Sequence, residues 1–163
     1  MQTVIAVSGV KNSGKTTLLT RLVAELSAEG YKVAVIKHDG HDFECDVPGT
    51  DTRRFMEHGA YATACFSENR MFVHRTGTGE SYEELIKMFP EADVIFIEGA
   101  KNSSFCKIEV IRSCISHEPV SDPAGRFLIA TDMPETAFTE RTKDIDDIKG
   151  IAEIIEKMIG GEK

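Results

Sequence analysis

The sequence lacks any run of about 18 apolar residues, which excludes a membrane-spanning helix on length alone. A basic and then apolar leader is missing as well: Met1 leads straight into a strand-like run, so the expected location is the cytoplasm. Positive charge is in deficit, with 27 Asp plus Glu against 19 Lys plus Arg and a net charge of −8. That balance excludes the electrostatic footprint of a duplex nucleic-acid binder, and any anionic ligand must be captured locally. The four cysteines, Cys45, Cys65, Cys106 and Cys114, show no CxxC spacing. Neither a zinc ribbon nor a secreted disulfide framework fits them, and buried free thiols are expected. Low-complexity segments and internal repeats are absent. No NKxD tetrad follows a strand-like run, so the residues do not write the identity of a nucleotide base.

What remains is 163 residues, 41% of them hydrophobic, enough for one core and read as a single domain over 1–163. Two apolar patterns alternate. "TVIAVS", "KVAVIKH", "ADVIFIEG" and "RFLIATD" are continuous Val- and Ile-rich runs bounded by turn residues, the pattern of strands buried on both faces in a parallel sheet. Between them, "KTTLLTRLVAELSAEG" sets Leu18, Leu22 and Leu26 on one stripe and stops at Gly30. "SYEELIKMF" carries a Ser81 to Glu84 capping-box spacing, and a last helix is expected over 144–159. "YATACFS" and "RMFVHRT" predict a hairpin across Glu68 and Asn69, while "FCKIEVIRSC" alternates like a strand with one wetter face. The expectation is a three-layer α/β domain with a mostly parallel sheet and an antiparallel hairpin addition.

The stretch Gly9-Val10-Lys11-Asn12-Ser13-Gly14-Lys15-Thr16, followed by Thr17, fits G-x-x-x-x-G-K-S/T at every defined position, so the expected three-layer α/β fold is that of a P-loop NTPase. The glycines let successive backbone N–H groups turn inward toward phosphate oxygens, Lys15 adds a positive charge for the β- and γ-phosphates, and the Thr16 hydroxyl suits Mg²⁺. The helix that follows presents its positive N-terminal end to the same anion. The deviant loop of the partitioning ATPases carries a second lysine five residues before the main one; here that position is Val10, and Lys11 sits one place later.

Such a loop needs a partner carboxylate at the C-terminal end of a neighbouring buried strand. "DVIFIEG" offers Asp93 at its start and Glu98 at its end, roughly 15 Å apart by the usual rise per residue, and Glu98 is the expected catalytic and Mg²⁺-associated acid. The loop "KHDGHDFECDVPGTDTRRF" contains His38, His41, Asp42 and Asp46, but an HxxH in a Gly-containing loop is a poor template for zinc. It reads better as a loop over the γ-phosphate and Mg²⁺, with Asp46 a water-mediated metal contact and Asp51 the cap of the next helix. Arg53 and Arg54 suit either phosphate clamps or a solvated helix face.

"GVKNSGKTTL", "KHDGHDFECDVPGTDT", "EHGA", "VIFIEGAKN" and "KIEVIR", taken together, resemble the molybdopterin-guanine dinucleotide biosynthesis protein B family. The resemblance implies a GTP-binding protein with weak Mg²⁺-dependent GTPase activity, a homodimer acting beside the guanylyltransferase that attaches GMP to molybdopterin. It carries over residues 9–17 as the phosphate loop, Glu98 as the strand-end acid, and Asp46 and Asp51 as loop acids. "TDMPE" is where base contacts are expected. A local basic pocket for the anionic pterin would draw on Lys101, Lys107, Arg112, Arg53 and Arg54. The competing class is a small-molecule kinase passing the γ-phosphate to a metabolite, although no Arg-rich lid segment is visible.

Overall fold

A computed structural model describes residues 2–39, 43–77 and 81–161. In chain order its elements are β1 (Thr3–Ser8), α1 (Lys15–Ala28), β2 (Val33–Lys37), α2 (Asp51–Glu57), β3 (Ala62–Phe66), β4 (Met71–Arg75), α3 (Tyr82–Lys87), β5 (Val94–Glu98), β6 (Cys106–Ile111), β7 (Arg126–Thr131), β8 (Thr142–Asp144) and α4 (Ile148–Ile159). They fall into two compact units, one of residues 1–38 and 83–163, the other of residues 39–82.

The larger unit is built on a six-stranded sheet in the order β2-β5-β1-β6-β7-β8, every pairing parallel. Val- and Ile-rich runs suit these positions because parallel strands are buried on both faces. Ile5, Val7, Phe96, Ile108, Val110 and Leu128 share one core cluster with Leu18, Leu22 and Leu26 of α1 and Ile151 and Ile155 of α4. Helix α1 ends where predicted: Gly30 takes the left-handed conformation (φ 94°) and its N–H donates to Ser27 O. Helix α4 starts later than the sequence suggests. Residues 142–144 pair with β7 instead, and Asp147 caps the helix by accepting from the Gly150 N–H at 3.0 Å.

Strand β6 departs from its predicted wetter face. It lies between β1 and β7, and Lys107 and Glu109 are buried (0% and 1% exposed). Loops satisfy Lys107 and one oxygen of Glu109: the Lys107 ammonium donates to the carbonyls of Ser103, Phe105 and Ala124, and Glu109 Oε1 accepts from the Val120 N–H at 2.7 Å, while its buried Oε2 has no hydrogen-bond partner among the described residues. The cysteines also differ from expectation. All four are exposed, because Cys106 only opens its strand, Cys114 lies in the turn beyond it, and Cys45 and Cys65 belong to the smaller unit.

In the smaller unit the hairpin forms as predicted, as a separate two-stranded antiparallel sheet closed by Ser67 N–H to Arg70 O at 2.8 Å. The cap of α2 is Thr50, which accepts from the Arg53 N–H; Asp51 is the first helical residue.

Three carboxylates of the larger unit are held below the usual range. The Ser113 backbone N–H does this chiefly for Asp132, the Arg126 guanidinium for Glu140 and the Lys143 ammonium for Asp147. Depressed folded-state values add stability that is complete above the unfolded-chain pKa of about 4 and is lost as pH falls through the folded values. Urea midpoints are therefore expected to fall on acidification from about pH 5 toward about pH 2. Glu140→Gln, which strips the buried Arg126 of its acid, should cost about 2 kcal/mol at neutral pH and flatten that fall. An identical acid profile in the variant would contradict the assignment.

Candidate functional site

Parallel strands deliver their C-terminal ends to one edge of the sheet, and at β1 the chain order switches, with β5 on one side and β6 on the other. The loop after β1 sits at that switch. Gly9 adopts φ 145°, and a Cβ there would lie 2.5 Å from Val110 O and 2.7 Å from Ser13 Oγ, so only glycine fits. Asn12 (φ 65°) and Gly14 (φ 98°) are also left-handed, a backbone course of the kind that turns N–H groups inward and suits an anion, and Gly14 caps the N-terminus of α1.

Lys15 folds over this loop, its Nζ donating to Gly9 O at 3.1 Å and Val10 O at 2.7 Å. Burial lowers its pKa, opposed by the charges of Glu98 and Glu109. Thr16 Oγ1 donates to Glu98 Oε1 at 2.8 Å across 82 positions of sequence. The predicted loop and the predicted strand-end acid thus meet, and Asp93 does not join them: its carboxylate accepts the Lys32 N–H at 2.7 Å at the other end of the strand. Immediately after Glu98 the chain turns away through Gly99 (φ 109°) and Ala100 (φ 53°). Lys11, Asn12, Lys15, Thr16 and Glu98 line a cleft of about 440 Å³.

Lys37 lines the same cleft, a residue the sequence reading passed over. It ends β2 in register with Glu98 on β5, and its charge acts to lower the pKa of Lys15. The signal was present in the sequence, since "VAVIK" closes a buried run as "VIFIE" does.

Asp46 and Asp51 belong to the smaller unit. Asp46 Oδ1 closes a turn, accepting from Val47 N–H at 2.8 Å and Thr50 Oγ1 at 3.0 Å. Burial pushes its pKa up, but hydrogen bonds from Thr52, Thr50 and Val47 and the charge of His74 outweigh this and leave it low. Arg53 pairs with Glu57 at 2.9 Å and Arg54 with Asp51 at 3.7 Å, both along α2, so of the two readings of these arginines the helix-face one has partners. His41 and Asp42 lie outside the described residues, and among those described no cluster of three or more His, Cys, Asp or Glu could hold a metal. Lys107, one of the cations counted toward a pterin pocket, is sealed in its carbonyl cage.

The family model for molybdopterin guanine dinucleotide synthesis protein B matches residues 4–132, which include the loop, Glu98 and Asp132. The chain belongs to that family. It is similar to a molybdopterin-guanine dinucleotide biosynthesis adapter protein of Escherichia coli (strain K12), 31% identical over 93% of this chain and 90% of that one. Among solved structures, the MobB protein homolog of Bacillus stearothermophilus superposes with a TM-score of 0.73 at 21% identity, covering 97% and 98% of the two chains. The MobB of Bacillus subtilis gives 0.75 at 22% identity, covering 95% and 97%. In this MobB-family chain the loop, Lys15 and the Thr16–Glu98 pair all fall within the matched residues.

Proposed function

We propose that this chain is a GTP-binding adapter of molybdopterin-guanine dinucleotide biosynthesis, with slow Mg²⁺-dependent GTPase activity. In this reading it works in the cytoplasm as a homodimer beside the molybdopterin guanylyltransferase. The pathway role follows from family membership and from relatives described as adapter proteins. The observation that carries the nucleotide reading is the 2.8 Å Thr16–Glu98 pair at the mouth of the loop. A hydroxyl at the start of the helix beside a strand-end carboxylate is a fitting donor set for Mg²⁺. When bound, the metal supplies charge neutralisation at the β- and γ-phosphate oxygens.

The chain's own residues do the rest. Backbone N–H groups of residues 9–14 cradle phosphate, and Lys15 exchanges its two carbonyl acceptors for phosphate oxygens. Lys37 adds positive charge from the β2 side. Among the described residues that line the cleft Glu98 is the one acid, and Thr16 engages its Oε1. Glu98→Gln is expected to lower GTP hydrolysis about 100-fold, with Mg²⁺-free GTP affinity within about threefold of wild type. Steady-state phosphate release and nucleotide titration check this, and unchanged hydrolysis would contradict the role of Glu98. Phosphate appearing on an added metabolite at about 1–100 s⁻¹ would replace the adapter reading with the kinase one.

A further inference from the structure

Arg112 directly follows the last residue of β6, the strand that flanks β1 on the side away from β5. It therefore reaches the phosphate loop from the opposite side to Glu98 and Lys37. Its guanidinium lies against Gly14: a Cβ on that glycine would be 3.1 Å from Arg112 Nε and 3.7 Å from Nη2. Gly14 is the cap residue of α1, and its φ of 98° belongs to the left-handed backbone course of the loop. The backbone holds Arg112 there, because its carbonyl accepts the N–H groups of Ile115 and Ser116.

The guanidinium itself has no acceptor and no ion-pair partner among the described residues, whereas Arg21, Arg53, Arg54 and Arg126 each hold a carboxylate. Asp132, the acid on which the Arg112 charge acts, already accepts the N–H of Ser113 at 2.7 Å and its hydroxyl at 3.2 Å. A planar fork of donors with no hydrogen-bond acceptor, set against the positive end of a helix, favours an anion between them.

We propose that Arg112 is a phosphate-binding residue of this site, gripping the diphosphate portion common to nucleoside di- and triphosphates from the β6 side. This rests on the nucleotide-binding reading and deepens it. Glu98 and Thr16 mark the metal and γ-phosphate side of the loop; Arg112, across β1 from them, addresses oxygens that GDP and GTP share. A charge-assisted, forked contact of this kind accounts for about 10- to 100-fold in affinity.

The test is titration of the full-length protein with GDP and with GTP plus Mg²⁺, using wild type, Arg112→Ala, Arg112→Lys and Lys15→Ala, with the ligand-free thermal midpoint of each. Arg112→Ala is expected to weaken GDP and GTP by the same factor, about 10- to 100-fold. Arg112→Lys should recover part of that loss, and the ligand-free midpoint of Arg112→Ala should equal or exceed that of wild type. Wild-type affinity in Arg112→Ala with Lys15→Ala disabled would overturn this inference and leave the nucleotide site standing. Loss confined to GTP, or a lowered ligand-free midpoint that accounts for the weaker binding, would overturn it too. Wild type that binds neither nucleotide would sink the nucleotide reading and this inference together.

Discussion

Lys15→Ala is expected to lower nucleotide affinity at least about 100-fold while leaving the fold intact. The ammonium makes two hydrogen bonds, both to carbonyls of its own loop, so removing it leaves Gly9 O and Val10 O to water or to the turn. Burial already disfavours the charged form of Lys15, and the protein tolerates that cost beside Glu98 and Glu109. A phosphate gives the same charge a stronger partner. Titration with a fluorescent guanine nucleotide checks the affinity and circular dichroism the fold; binding within about threefold of wild type would show that the loop holds no phosphate.

Lys107→Met should have the converse signature, a loss of about 3 kcal/mol in stability with no direct contact to ligand removed. Methionine keeps most of the volume but leaves the carbonyls of Ser103, Phe105 and Ala124 facing apolar atoms. Those carbonyls belong to the two loops that follow β5 and β6, so the ammonium also fixes how both loops lie on the sheet. Urea unfolding checks the figure, with a midpoint temperature lowered by about 6–12 °C as the thermal counterpart. A change below about 0.5 kcal/mol would mean the cage is dispensable.

These two lysines show what the sequence made legible. Lys15 stands in a motif whose spacing is itself the chemistry, with the strand before it and the helix after it readable from apolar periodicity. Glu98 could be chosen over Asp93 because the end of a buried strand at which a carboxylate stands follows from order alone. Lys107 looked like one cation in an alternating strand, because burial on both sides depends on β6 lying between β1 and β7, a neighbour relation no local pattern carries. The same relation places Arg112 beside Gly14. Strand β8 was missed since "TKD" has three residues and no apolar signal, and that miss moved the expected start of α4 four positions too early. Asp46 commits one oxygen to the turn that leads into α2, a local contact that the spacing of Asp46 and Thr50 alone does not announce.

The most direct test of a GTP-holding adapter is competition at the loop: labelled GTP with Mg²⁺ bound to the purified protein, displaced by unlabelled GTP, GDP or ATP. GTP and GDP are expected to displace the label at concentrations at least about tenfold below ATP, a difference of about 1.4 kcal/mol. Displacement by ATP at equal or lower concentration would contradict the claim.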